Sequence, residues 1–155
     1  MQESGRGKLG KLNPVETDRF LAEAHIARLG CLDDEGWPYV VPTWHEWDGS
    51  RFFVVARKKS VWAHYLQARP RCAITVDEVG GLRRVVAQCV ASIVEEPNVG
   101  GAWVPVAERM ATRYLGADGP TYLVPTLDRP RWLIALDPRR VWTWQSSDWA
   151  KRYEN

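Results

Sequence analysis

Hydrophobic and polar positions alternate with a period of two through most of the chain, interrupted by three short segments whose apolar residues recur near 3.6. The first, VETDRFLAEAHIARLG, sets Val15, Phe20, Leu21 and Ala24 on one side and predicts a helix over 16–24, after Asn13-Pro14. IARLGCL at 26–32 then alternates as a strand. LDDEG supplies a turn and WPYVVPTWHEW an antiparallel partner. Pro38 and Pro42 remove two ladder donors from that partner, which places it at a sheet edge or on a bulge. Asp48-Gly49 marks a second hairpin and leads into the strand SRFFVVA.

Ser60 suits the N-cap of a second helix over 61–68, which Arg69-Pro70 ends. RCAITVDE at 71–78 and the β-branched run LRRVVAQCVASIVEE are strands joined by VGG. Val106, Met110 and Tyr114, with Ala107 and Ala111 beside them, predict a third helix from about residue 103 to the stop at Gly116. GADGPTYLVPTLDRP reads as irregular, WLIALD as a strand, Pro138 as a turn and RVWTWQSS as a last strand. Six or seven mostly antiparallel strands in hairpin order, with short helices and no βαβ repeat, predict a mainly β fold whose sheet closes, or nearly closes, into a barrel.

A chain of 155 residues, 45% of them hydrophobic, suits a single domain with its own core. Residues 13–150 are assigned to that domain, 1–12 to a mobile N-terminal arm and 151–155 to a C-terminal tail. The arm is basic but leads into no apolar segment, and no apolar run is long enough to cross a bilayer, so no membrane association and a cytoplasmic location are expected. The net charge of +2 is too small to suggest a nucleic-acid partner. Cys31, Cys72 and Cys89 are odd in number, far apart and set among apolar residues, which predicts buried free thiols.

Charge becomes informative locally. Arg57, Lys58 and Lys59 stand where a strand hands over to a helix start at Ser60, and free amides at that junction already attract anions. The run therefore reads as an anion site, with a solvated charge cluster as the alternative. His64, early in the helix, is near enough in sequence to approach the same ligand. Strand alternation makes Thr43, Trp44 and His45 candidates for lining a pocket. Neither GxxxxGK[ST] nor a strand-borne GxGxxG is present, His25, His45 and His64 are too dispersed to indicate a metal site, and no nucleophile with a base and an orienting acid is evident. No catalytic side chain is assigned. Nine tryptophans exceed what a core of this size needs, and Trp44, Trp62, Trp142 and Trp144 suit either a flat ring system or a dimer interface.

Residues 27–78, followed by RRVVAQCVASIVEE and RWLIALDPRRVWTWQSSDWAKRY, resemble the pyridoxamine 5'-phosphate oxidase-like family, the flavin-binding split β-barrels. The resemblance implies a homodimer with two cofactors at its interface, FMN or alternatively the deazaflavin F420. It implies that Arg57, Lys58, Lys59 and Ser60 hold the cofactor phosphate, with Trp62 or His64 nearby. Pro42, Thr43 and Trp44 would run along the ring, and Trp142 and Trp144 of one subunit would close the pocket of the other. The implied activity is hydride exchange between the cofactor and a small organic substrate; a non-catalytic flavin, haem or phosphate-ligand binding protein is the alternative. The C-terminal substrate-phosphate segment of the vitamin B6 oxidases has no counterpart here, so that particular reaction is not implied.

Overall fold

The computed structural model describes residues 10–145. Its elements are α1 (Pro14–Leu21), β1 (Ala27–Leu32), β2 (Pro38–Thr43), β3 (Glu46–Trp47), β4 (Phe52–Arg57), α2 (Val61–Ala68), β5 (Arg71–Asp77), β6 (Arg84–Asn98), α3 (Trp103–Leu115) and β7 (Arg131–Trp144). Two 3-10 turns, Gly119–Tyr122 and Val124–Thr126, connect α3 to β7. The strands form one seven-stranded sheet in the order β2-β1-β5-β6-β7-β4-β3, and every pairing is antiparallel.

β2 and β3 are the two edges of this sheet, yet only Trp44 and His45 separate them in sequence. A joint of that length spans about 10 Å. The sheet therefore has to curl until its edges meet, and because no ladder joins β2 to β3 among the described residues, the result is a split β-barrel. Alternation fills the interior with Leu29, Val54, Ile74, Ala87 and Ile134, while Phe20 and Leu21 of α1 and Trp62 and Leu66 of α2 complete the core.

A second core lies outside the barrel, where Trp103, Val106, Met110 and Ala111 of α3 pack with Leu133 and the half-buried Phe53 and Val55. This second layer explains why Arg131–Leu136 are buried at every position instead of alternating. A strand covered on both faces reads as a continuous apolar run, as WLIAL does.

Three expectations change. α1 begins at Pro14, because Asn13 accepts from the Glu16 amide at 2.9 Å and Glu16 accepts from the Asn13 amide at 2.8 Å, a capping box that fixes the start. WLIALD and RVWTWQSS belong to one strand, since Pro138 falls where the β6–β7 register shifts between Gln88 and Cys89, and a bulge tolerates the missing donor. The expected arm is tied down from Gly10 onward: Leu12 is buried, its amide donates to Thr143 Oγ1 at 3.0 Å, and the Gln145 amide donates to the Gly10 carbonyl at 2.7 Å. Residues 1–9 and 146–155, including the tail assigned at 151–155, lie outside the described residues. The three cysteines are free and buried.

Gly119 holds the connecting segment against α3, for a Cβ there would lie 2.0 Å from the Ala111 carbonyl oxygen, which is backbone and cannot swing away. Gly119→Ala is expected to cost about 1–3 kcal/mol through forced overpacking. Urea unfolding measures it, and an unchanged midpoint would show that the two segments do not sit this close.

Candidate functional site

Alternation on β4 sends Phe52, Val54 and Ala56 into the barrel and Phe53, Val55 and Arg57 to the opposite face. Arg57 pairs in register with Arg131, the first residue of β7. Both line a cavity of about 520 Å³. Pro42, Thr43 and Trp44 at the end of β2 contribute to its wall, as do Met110 of α3 and Tyr122 and Leu123 of the connecting segment. Among the described residues its lining carries no carboxylate, thiol or imidazole.

Arg131 is only 7% exposed. Its guanidinium lies over the Trp103 ring, 4.6 Å from the centroid, and donates to the Thr126 carbonyl at 3.0 Å and to Thr126 Oγ1 at 2.6 Å. These partners are neutral. Burial lowers its pKa, and the like charge of Arg57 acts in the same direction. Among the described residues neither arginine is in an ion pair, and no side-chain hydrogen bond engages Arg57. A buried cation without a counter-ion is costly, so the pair favours an anion between or beside its guanidinium groups.

The aromatic wall is held in place from behind. Trp44 stacks on Tyr114 of α3 with centroids 5.0 Å apart and planes at 8°, and Tyr122 lies 5.9 Å away at a tilt. The Tyr114 hydroxyl donates to the His25 carbonyl at 2.7 Å and accepts from the His45 amide at 3.3 Å, tying the β2–β3 joint to α3. Arg109 of α3 donates to both carboxylate oxygens of Glu46, at 2.7 and 2.9 Å. One wall is thus positioned by the barrel and the other by the helix laid across it.

Of the residues expected at a ligand, Pro42, Thr43, Trp44 and Arg57 come together at this cavity. Lys58 and Lys59 are exposed in the turn before α2 and do not line it. Ser60 occupies the N-cap of α2, but its hydroxyl accepts no hydrogen bond from the helix amides. Trp62 points into the barrel core because α2 buries the side that carries Trp62, Ala63 and Leu66. His64 is exposed and meets Trp132 edge-on, with centroids 5.3 Å apart. Trp142 and Trp144 lie beyond the bulge in β7, opposite Val86 and Arg84. Sequence reasoning missed Arg131 and Tyr122. The available sign for Arg131 was a cation placed directly before an apolar run too continuous for a half-exposed strand.

Glu23, His25 and Glu78 bring ligand atoms within 4.8 Å of one another, the spacing of a metal site. Arg83 occupies the centre of that group: it donates to both Glu23 oxygens at 2.9 Å and to Glu78 Oε2 at 2.7 Å. Those bonds push the Glu78 pKa down to about 2. The cluster is a closed ion network.

The profile of the pyridoxamine 5'-phosphate oxidase family matches residues 14–145. No curated protein sequence matches the chain. Among solved structures, a conserved hypothetical protein from Mycobacterium tuberculosis is similar at 23% identity and a TM-score of 0.68, covering 91% of this chain and 89% of its own. An F420 reductase is 21% identical with a TM-score of 0.66, covering 81% of this chain and 94% of its own. HutZ, a haem storage protein from Vibrio cholerae, is 20% identical with a TM-score of 0.64, covering 86% and 95%. At these identities the likeness lies in the fold.

His45 sits in the joint itself, fully buried against Phe52, and neither ring nitrogen has a hydrogen-bond partner among the described residues. Its pKa is pushed down to about 3, chiefly by burial and then by the nearby charges of Arg113 and His25. The unfolded chain takes up this proton as pH falls through 6.5 whereas the folded chain does not, so stability is lost on acidification through the range below 6.5. His45→Leu is expected to flatten that loss and to raise stability at pH 5, because an unsatisfied buried nitrogen costs about 1–3 kcal/mol. Urea unfolding at pH 7.5 and pH 5 compares the two proteins; an equal pH dependence would mean that His45 is not the group responsible.

Proposed function

Because the chain belongs to the pyridoxamine 5'-phosphate oxidase family, we propose that its cavity holds FMN, with F420 as the alternative, and that the protein is a homodimeric oxidoreductase acting on a small organic substrate. The observation that carries this reading is the Arg57–Arg131 pair, without an ion pair to any acid among the described residues and opening on a cavity walled by Trp44 and Tyr122. A volume near 520 Å³ lies within the usual range for cofactor pockets.

In this reading Arg57 and Arg131 hold the cofactor phosphate by charge-assisted hydrogen bonds. Pro42, Thr43 and Trp44 run along the ring, where the outer edge of β2 offers backbone groups that no neighbouring strand takes. Met110 and Leu123 keep water from the apolar part of the ligand. When bound, the cofactor supplies hydride-transfer chemistry that no side chain lining the cavity supplies. A second copy would bring Trp142 and Trp144 to the open side, which accounts for the 43% exposure of Trp142 in the single chain. No described helix is long and apolar enough to cross a membrane, and three reduced thiols fit a cytoplasmic protein. Haem is disfavoured at this cavity, since His25 is bonded to Glu23, His45 is enclosed and His64 lies on Trp132.

The absorption spectrum of the purified protein and titrations with FMN, FAD and F420 test the proposal. Arg57→Ala/Arg131→Ala is expected to weaken binding at least tenfold, since a hydrogen bond to a charged group is worth about 1.5–3 kcal/mol. Lys58→Ala/Lys59→Ala should leave it nearly unchanged. Equal binding by the arginine variant, or no binding of any of the three by the native protein, would sink the reading; bound cofactor without turnover would leave a binding protein in place of an enzyme.

A further inference from the structure

A second basic cavity, of about 730 Å³, lies on the outer face of the sheet and shares no residue with the first. Register explains its shape. Gly30 pairs with Ala73, Ala73 with Gln88, and Gln88 with Arg140, so two residues with almost no side chain lie side by side across β1 and β5. The face sinks there, with open space above Gly30, where an added Cβ would meet nothing nearer than the Ala73 carbonyl oxygen at 3.8 Å. Leu32, Pro38 and Val90 make the surrounding walls apolar.

The bulge in β7 provides the charge. The ladder passes from Gln88 opposite Arg140 to Cys89 opposite Pro138, which leaves Arg139 as the extra residue. A bulge re-aims the side chain it releases, and Arg139 and Arg140 both line the cavity although they are neighbours on one strand. Arg71 enters from β5, two strands away and so about 10 Å across the trough. Arg139 reaches Asp137 at 3.2 Å, whereas Arg71 and Arg140 have no ion pair among the described residues. Among the described residues the lining holds three guanidinium groups, the Gln88 amide, the buried Cys31, Cys72 and Cys89, and no carboxylate.

We propose that this trough is a second anion-binding site, for a small molecule that carries two or more negative oxygens and an apolar portion, of the phosphate-ester or polycarboxylate class. Arginines on opposite sides of the depression grip separated anionic groups, the Gln88 amide donates between them, and the apolar part of the ligand covers Gly30 and Ala73. The site does not depend on the cofactor reading, because Arg57 and Arg131 take no part in it.

Isothermal titration calorimetry at fixed ionic strength, with sodium pyrophosphate and separately with citrate, tests the site on the full chain. The native protein should bind at least one of the two saturably, and which of them binds tighter distinguishes a phosphate from a carboxylate ligand. Arg71→Ala/Arg140→Ala should weaken that binding at least tenfold, Arg71→Lys/Arg140→Lys should lose less, and Arg57→Ala/Arg131→Ala should retain it. The Arg71 and Arg140 side chains are outside both cores, so both variants of that pair should melt as the native protein does without ligand. Binding lost only in the Arg57/Arg131 variant, or no saturable binding of either probe, would overturn the proposal. So would a sedimentation coefficient that falls from dimer to monomer on changing Arg71 and Arg140, since that would make the trough a contact between subunits.

Discussion

Trp44 and His45 have to bridge the two edges of a seven-stranded sheet, and the span open to them is about 10 Å. Curling follows from that limit, and so does the place of the cavity. The residues that make the joint lie where the barrel closes: His45 is sealed inside it, and Trp44 is left at the rim beside the end of β2. Tyr114 then stacks on Trp44 and bonds the joint through two backbone groups, so α3 is fixed by the same residues that close the barrel. Closure, the second core and the aromatic wall are one arrangement.

Two sets of arginines differ in how they are matched. Arg28, Arg69, Arg83 and Arg109 are matched to Asp77, Asp34, Glu23 with Glu78, and Glu46, and each joins segments far apart in sequence. Exposed pairs of this kind contribute little energy singly, but they set positions. Arg57, Arg131, Arg71 and Arg140 form no ion pair among the described residues, and each lines one of the two cavities described above. For the exposed members water is a sufficient partner. For Arg131, 7% exposed and held only by neutral oxygens and the Trp103 ring, it is not. This residue makes the stronger argument for an anionic ligand than the run of three cations that precedes α2.

Much of the fold was legible in sequence because its signals are local. Strand periods, the Asp48-Gly49 turn, the stripe on α3 and the edge position implied by Pro38 and Pro42 each rest on a few neighbouring residues. Pro138 misled because a proline inside a strand is tolerated only at a bulge, and the bulge depends on the register of β6 against β7. The site was half legible. Pro42, Thr43, Trp44 and Arg57 meet at one cavity, but His45, which alternation also offered, is sealed in the core, Lys58 and Lys59 follow the strand end and turn outward, and Trp62 obeys the apolar face of its own helix. Arg131 is separated from Arg57 by most of the second half of the chain. Only the β4–β7 ladder makes them neighbours, and no local pattern encodes that pairing.

The lining of the first cavity also limits what the chain itself can do there. Its hydroxyls are those of Thr43 and Tyr122, and its cations are guanidinium groups that hold their protons throughout the physiological range. Such a set suits the anchoring of the anionic ligand proposed above, with Met110 and Leu123 over its apolar part, but among the described residues it offers no carboxylate, thiol or imidazole as a general acid or base. On the proposed reading, reactivity is carried by the bound cofactor, and selectivity by the distance between the arginine pair and the aromatic wall. That distance is set by β4 and β7 on one side and by the β2–β3 joint on the other, and α3, with the segment seated at Gly119, spans the two. A change at Gly119 or Tyr114 therefore acts on the cavity through the spacing of the two walls, without touching either arginine.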